Sequence, residues 1–369
     1  RPFVRLDEEV TSLVAEKLHI KGNYFLGQKG DEPQKALDAM QECNWLMKAR
    51  FEYKQLRIKV PFLHRTKKGW DLYFLFIGLY PHADDMQFYC DELWVLENNH
   101  IKIRKIYIIH LNGEYVREKE LDPIKLFVIS DCFYNGKNHP SVKVKETVFK
   151  NRRDISHILD EMDQLQDGTI PPAIRTNKCT TRQKCLYYDS CFQNEKEEPA
   201  DSILTLIASQ HKHAMKQEGI QFLRDADVER IEGSRQQYAQ IMADQEGGLH
   251  VDRYALKSWL NYIKFPISFL DFEWERFAIP PYEGMKPYDV MPFEYSLHIM
   301  QADGSMTHKV YLNIHDDRKD MAENLIKDIP AEGTVMAYNA AGAEMIRIAE
   351  FAQQFPQYSK QLLSINQRM

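Results

Sequence analysis

The sequence predicts an α/β protein built as two modules, and three observations carry that prediction. In the first half, apolar runs of strand and helix period follow the order strand, strand, helix, strand. In the second half, three strand patterns precede a helix and a further strand; a Pro-rich loop and an Asp303-Gly304 turn join the first three. Between the halves lies a polar, helix-patterned stretch that opens on Glu195-Lys-Glu-Glu-Pro-Ala200 and closes on Gly247-Gly248. The expected division is therefore 1–194, a helical linker at 195–250, and 251–369.

Each element has its own signal. Asp7-Glu8-Glu9 starts a helix predicted through Leu18, with acids in the first turn, where the helix dipole favours them. A second helix is predicted from about Pro33 to Arg50. Strands are predicted at 51–60, Trp70–Gly78 and Lys102–Leu111, with a helix at 84–97 before the last and an Asn112-Gly113 turn after it. Residues 125–150 read as strand-like, 151–167 as an amphipathic helix, and 201–245 as helical with a break at Gly219. The second module is predicted as a strand at 265–273, a loop from Ile279 to Pro287, and strands at Phe293–Gln301 and Lys309–Asn313. A helix capped by Asp316 or Asp317 and running to Asp328, a strand at Thr334–Tyr338 and a helix at 343–355 complete it.

Composition narrows the class. A chain of 369 residues, 44% hydrophobic and 28% charged, is an ordinary globular protein. Its longest apolar run, Leu72 to Tyr80, is too short to span a bilayer and reads as a buried strand, so no membrane partner is expected. Six cysteines do not make a disulfide scaffold, and the cytoplasm is the expected compartment. The net charge of −6 is uneven: residues 1–200 carry +1 and residues 201–369 carry −7. The chain starts at Arg1 rather than Met and stops at Met369 inside a helical pattern, so a fragment or processed form of a longer protein is expected.

The most informative stretch is Ser268-Phe-Leu-Asp-Phe-Glu273. In a strand, residues i and i+2 share a face, so Asp271 and Glu273 leave a buried strand side by side. Two neighbouring carboxylates repel, and Mg²⁺ or Mn²⁺ relieves that cost with oxygen ligands. The plain alternative is a solvated or salt-bridged acid pair at a strand end.

Together with Ile279-Pro-Pro-Tyr-Glu-Gly284, Pro292-Phe-Glu-Tyr-Ser-Leu-His298, Ala337-Tyr-Asn339 and Phe355-Pro-Gln-Tyr358, this stretch resembles a bacterial family of unknown function. Members of that family join a RecB-like, PD-(D/E)XK-type nuclease module to an RNase H-like, DEDD-type exonuclease module. The resemblance covers most of the chain and is strongest from residue 263. It implies a degenerate RecB-like fold, a helical linker and an RNase H-like domain truncated at its C-terminus. It also implies that Asp271 and Glu273 hold a catalytic metal, with Glu344 as a supporting ligand positioned by Asn339. Glu344 lies one residue later than the family spacing, and its plain alternative is charge compensation at a helix start, with Arg347 at i+3. The last acid of the pattern would follow Met369, so little nuclease activity is expected of this chain. In the first module the resemblance sets Lys59 at the Asp position and Phe74 and Phe76 at the Glu and Lys positions; none of these can ligate a metal.

Cys179, Cys185 and Cys191 are evenly spaced, and the surrounding sequence resembles the C-terminal cysteine cluster of RecB-like nucleases, which implies a [4Fe–4S] cluster. Such a cluster needs four thiolates, and no cysteine precedes the first helices. His64, His110, His298 and His315 have no metalloprotease spacing and read as structural. Nucleic acid, DNA or RNA, is the expected partner, and its contact requires local cations. The candidates are Lys54, Arg57, Lys59, Arg65, Lys67 and Lys68, then Lys143, Lys145, Lys150, Arg152 and Arg153; their plain reading is solvated faces. The expected function is thus a metal-dependent exonuclease in an incomplete or weakly active form. The rival is a catalytically inactive scaffold that binds nucleic acid or protein.

Overall fold

The computed structural model describes residues 2–164, 173, 176, 179, 185–192, 198–231, 233–313 and 315–369. They form two compact units: residues 1–161 together with 264–369, and residues 162–263. The sequence-based boundaries at 194 and 250 mark changes of composition, whereas the contact division falls at 161 and 263.

The first unit opens with α1 (Pro2–Lys17), β1 (Tyr24–Leu26) and α2 (Pro33–Glu42). Then come β2 (Trp45–Tyr53), β3 (Leu56–Thr66), β4 (Gly69–Phe76), α3 (Met86–Asn98) and β5 (Ile103–Leu111). A short α4 (Pro123–Leu126), β6 (Phe127–Ser130), β7 (Cys132–Tyr134), β8 (Pro140–Lys143), α5 (Val144–Asn151) and α6 (Ser156–Gln164) follow. Six strands form one sheet in the order β1-β2-β3-β4-β5-β6. The pairs β1/β2 and β4/β5 are parallel and the others antiparallel. One face is packed by α2, α3 and α5 through Met40, Leu93, Leu96 and Val148. The other face is packed by α1 through Val10 and Val14, and by Ala278 and Ile279 from the far end of the chain.

Three expectations are corrected here. The helix predicted to Arg50 stops at Glu42, because Trp45 onward pairs with both β1 and β3; two-sided pairing overrides helix propensity. The strand predicted at 51–60 is two strands, turning at Lys54 (φ +46°) and Gln55 (φ +64°) without the Asn-Gly that usually announces such a hairpin. Within 125–150, residues 144–150 belong to helix α5 rather than to a strand.

The same unit ends in a second sheet. Its elements are β9 (Ile267–Arg276), β10 (Val290–Met300), β11 (Met306–Leu312), α11 (Arg318–Asp328), β12 (Thr334–Met336), α12 (Glu344–Gln354) and α13 (Ser359–Gln367). The order is β11-β10-β9-β12, with β9 antiparallel to β10 and parallel to β12. Leu270, Phe272, Tyr295 and Leu297 meet Met321, Leu325, Ile348 and Leu362 in a core on one face. The loop between β9 and β10 ties the two sheets together. The Arg117 amide donates to Met285 O (2.9 Å), the Gly284 amide to Arg117 O (2.7 Å), and the Arg117 guanidinium to Pro280 O (2.7 Å). The Tyr288 hydroxyl donates to Ile77 O.

The second unit consists of short pieces rather than one helical run. Among them are α7 (Tyr188–Cys191), α8 (Lys212–Gln217), α9 (Arg235–Gln245) and α10 (Arg253–Leu260), around a small core of Ile203, Leu206, Met215, Leu223 and Ile241. Among the described residues no helix is long and apolar enough to cross a membrane.

Candidate metal centre on the second sheet

Strand β9 alternates as its sequence requires. Leu270 and Phe272 enter the core, and Asp271 and Glu273 stand exposed on the opposite face. Register places Ser296 of β10 opposite Asp271, and Glu294 opposite Glu273. Like charges directly across a strand pair destabilise it, so Glu294 adds a third carboxylate to this face. Sequence reasoning missed Glu294, since its partner is set by the β9/β10 register and by the irregularity between Pro292 and Glu294.

Glu344 begins α12 and is buried, 3% exposed, with Oε2 closed off from solvent and without a hydrogen-bond partner. Burial, first, and then the charge of Asp271 hold its carboxyl above the ordinary range; a bond to its own backbone amide works the other way. Arg347 is not the partner of Glu344: it pairs with Glu350 (3.0 Å), and its own Nε is buried without an acceptor. Asn339 is exposed, and its amide lies against Gly342, where a Cβ would come within 2.7 Å of it. The chain between Asn339 and Glu344 runs through a 3-10 turn at Ala340–Gly342. Among the described residues no three His, Cys, Asp or Glu side chains form a group able to hold a metal ion. The donor chemistry nevertheless suits a hard divalent cation: an orphaned buried carboxylate oxygen and a second carboxylate that repels it.

The other sequence candidates are placed differently. Phe74 lies in the first core, stacked on Tyr89 at 4.3 Å, and Phe76 packs against that core. Lys59 reaches Asp7 (3.0 Å), which also holds Lys48 (2.7 Å). The buried acid of β4 is Asp71, gripped by Arg104 through Nε at 2.8 Å and through Nη2. Cys179, Cys185 and Cys191 are free thiols; the Cys185 amide donates to Cys179 O (2.9 Å). Much of the sequence around them lies outside the described residues, and the described ones do not assemble the four-thiolate set an iron–sulfur cluster needs. His64 stacks on Trp45 and His298 on His308, both at 4.1 Å, while His110 is buried against Leu111 O and the Tyr134 hydroxyl.

The cations divide into two groups. Lys54, Arg57, Lys143 and Arg152 are held by Asp160, Glu52, Asp131 and Glu97. Arg65, Lys67, Lys68, Lys150 and Arg153 have no carboxylate partner among the described residues.

Residues 268–369 match a protein family described as a domain of unknown function (DUF2779). That match starts at Ser268 on β9 and takes in the second sheet from there. No curated protein and no solved structure matches the chain.

Proposed function

We propose that the second sheet carries a divalent-metal-dependent nuclease site of the RNase H-like exonuclease type, acting on DNA or RNA. The observation that carries this reading is the buried Glu344 carboxylate, whose Oε2 has no hydrogen-bond partner and whose carboxyl is raised by burial and by the charge of Asp271. Like charges gathered at one strand end are costly without a cation, and Arg347, three residues on from Glu344, pairs with Glu350 instead. Asp271, Glu273 and Glu344 are the residues that would hold Mg²⁺ or Mn²⁺, and Asn339 would position Glu344. Such an ion supplies Lewis-acid polarisation of a phosphodiester. The strand order β11-β10-β9-β12, antiparallel then parallel, supports an RNase H-like reading. The run α2-β2-β3-β4-α3-β5 supports a RecB-like reading of the first sheet, with Lys59, Phe74 and Phe76 leaving it without its acids. That first sheet then binds or supports rather than cuts.

The scaffold reading rests on a specific observation as well: no three-ligand group forms among the described residues. Titration of Mn²⁺ into the protein, with cleavage assays on single- and double-stranded DNA and RNA, separates the two. The expected result is Mn²⁺ binding that weakens about tenfold or more in Asp271→Ala and Glu344→Gln, and slow cleavage that disappears in Asp271→Ala. Equal Mn²⁺ binding by all three proteins, without cleavage, would establish the scaffold.

A further inference from the structure

A second place on the molecule gathers cations, and it lies on the first sheet. The chain makes a cleft of about 490 Å³ where the end of α2, the β3–β4 turn and the α3–β5 connection meet. Trp70 supplies apolar surface, with Met40 and Ile101 buried beside it; Asn99 and His100 add polar groups, and Arg65 and Lys102 supply charge. No carboxylate lines it.

The cations at the cleft differ from those further along β3. Of the first group of cations singled out from sequence, Lys54, Arg57 and Lys59 are each neutralised by an acid. Arg65 and Lys102, and the neighbouring Lys67 and Lys68 of the β3–β4 turn, have no acidic partner among the described residues. The Arg65 guanidinium is held over the Trp70 ring at 5.2 Å instead, and its Nε is shut off from solvent without an acceptor. A guanidinium stacked on an indole keeps its charge while its orientation is fixed. The cleft is also braced: the Trp70 amide donates to Lys102 O (2.9 Å), and Gly69 (φ +133°) sits where a Cβ would come within 2.6 Å of that oxygen. The Lys102 backbone is thereby fixed beside Trp70. At the mouth, the Gln41 side chain is exposed and makes no hydrogen bond among the described residues, so its donor and acceptor are both open.

We propose that this cleft binds a nucleoside phosphate. The phosphate is taken by Arg65 and Lys102, with Lys67 and Lys68 behind them. The base lies beside Trp70, and Gln41 reaches its edge. The volume fits one nucleotide, and a cation pair without acidic partners beside an indole recognises phosphate and base together. The source is either a free mononucleotide or the terminal nucleotide of a strand. This inference does not rest on the metal site.

The test uses the full chain in EDTA, so that the carboxylates of the second sheet are not engaged. Two probes are titrated: a fluorescent adenosine monophosphate, and a labelled oligothymidylate with and without a 5′-phosphate. The structure leads us to expect binding that weakens about tenfold in Arg65→Ala, in line with loss of a charged hydrogen-bond pair. Lys102→Gln and the exposed Lys67→Gln/Lys68→Gln pair weaken it in the same direction without touching the core. For the oligonucleotide, losing Lys67 and Lys68 lowers the slope of log affinity against log salt by about 1.4. Lys59→Gln, whose cation is already held by Asp7, leaves binding unchanged. Binding of the mononucleotide identifies a free nucleotide site; binding of the 5′-phosphorylated strand alone identifies a strand-end site. Absence of binding to both probes, or affinities unaltered in Arg65→Ala and Lys102→Gln, overturns the proposal.

Discussion

Glu92 is the residue most at odds with its surroundings. It sits on α3 inside the first core, 2% exposed, and its Oε2 has no hydrogen-bond partner. Burial pushes its carboxyl up to about 8, and the charge of Lys59 recovers only a little of that. The sign follows directly. A carboxyl whose folded value lies above its unfolded value binds more protons when folded, so stability is fully present below the unfolded value and is lost as pH rises through the folded one. The window is therefore from the model-peptide value near 4.5 up to about 8. Urea denaturation is expected to show Glu92→Gln near neutral at pH 5 and stabilising by several kcal/mol, on the order of 4, at pH 9. An equal effect at both pH values would mean that Glu92 is ionised throughout. Not all of this was visible in the sequence. The shared face of Asp271 and Glu273 follows from a period of two and was legible. Burial of Glu92, and the opposition of Glu294 to Glu273, depend on which element packs or pairs with which, and no local pattern carries that.

At the scale of elements, most of the long periodic segments were legible: α3, β4, β5, β9 and α11 lie close to where their patterns put them. The errors fell where two elements meet. The β2–β3 turn escaped notice because Lys54 and Gln55 adopt positive φ without glycine or asparagine. Gln55→Gly is accordingly expected to stabilise the protein by about 0.5–1 kcal/mol, since relief of left-handed strain exceeds the added freedom of the unfolded chain. The reverse holds at Gly333, where φ is +91° and a Cβ would come within 2.0 Å of Pro266 O. There Gly333→Ala is expected to cost roughly 2–3 kcal/mol by forcing β12 away from β9. Thermal denaturation of the two variants checks both signs, and a destabilised Gln55→Gly together with an unaffected Gly333→Ala would contradict the backbone argument.

At the scale of the whole molecule, the sequence showed two α/β modules but not their union. The Ile279–Gly284 segment was legible only as a Pro-rich loop. In the structure it is the bond between the sheets, with Ala278 and Ile279 sharing a core with Val10, Val14 and Phe62. The double variant Arg117→Ala/Tyr288→Phe removes the guanidinium bond to Pro280 O and the hydroxyl bond to Ile77 O. Calorimetry is expected to show one transition for the parent and two for the variant, at a cost of about 2–4 kcal/mol for two part-buried hydrogen bonds, one of them charged. A single transition at unchanged temperature would show the loop to be energetically idle. The same loop has a consequence for synthesis. Translation proceeds at about 5–20 residues per second, and about 120 residues separate the end of the first sheet's segment at 161 from the loop that completes its core. For on the order of ten seconds after that sheet emerges, one of its apolar faces waits uncovered on the ribosome. Nascent chains of this protein should hold trigger-type chaperones until the β9–β10 loop appears, and ribosome profiling of chaperone-bound chains would show release at that length and not before.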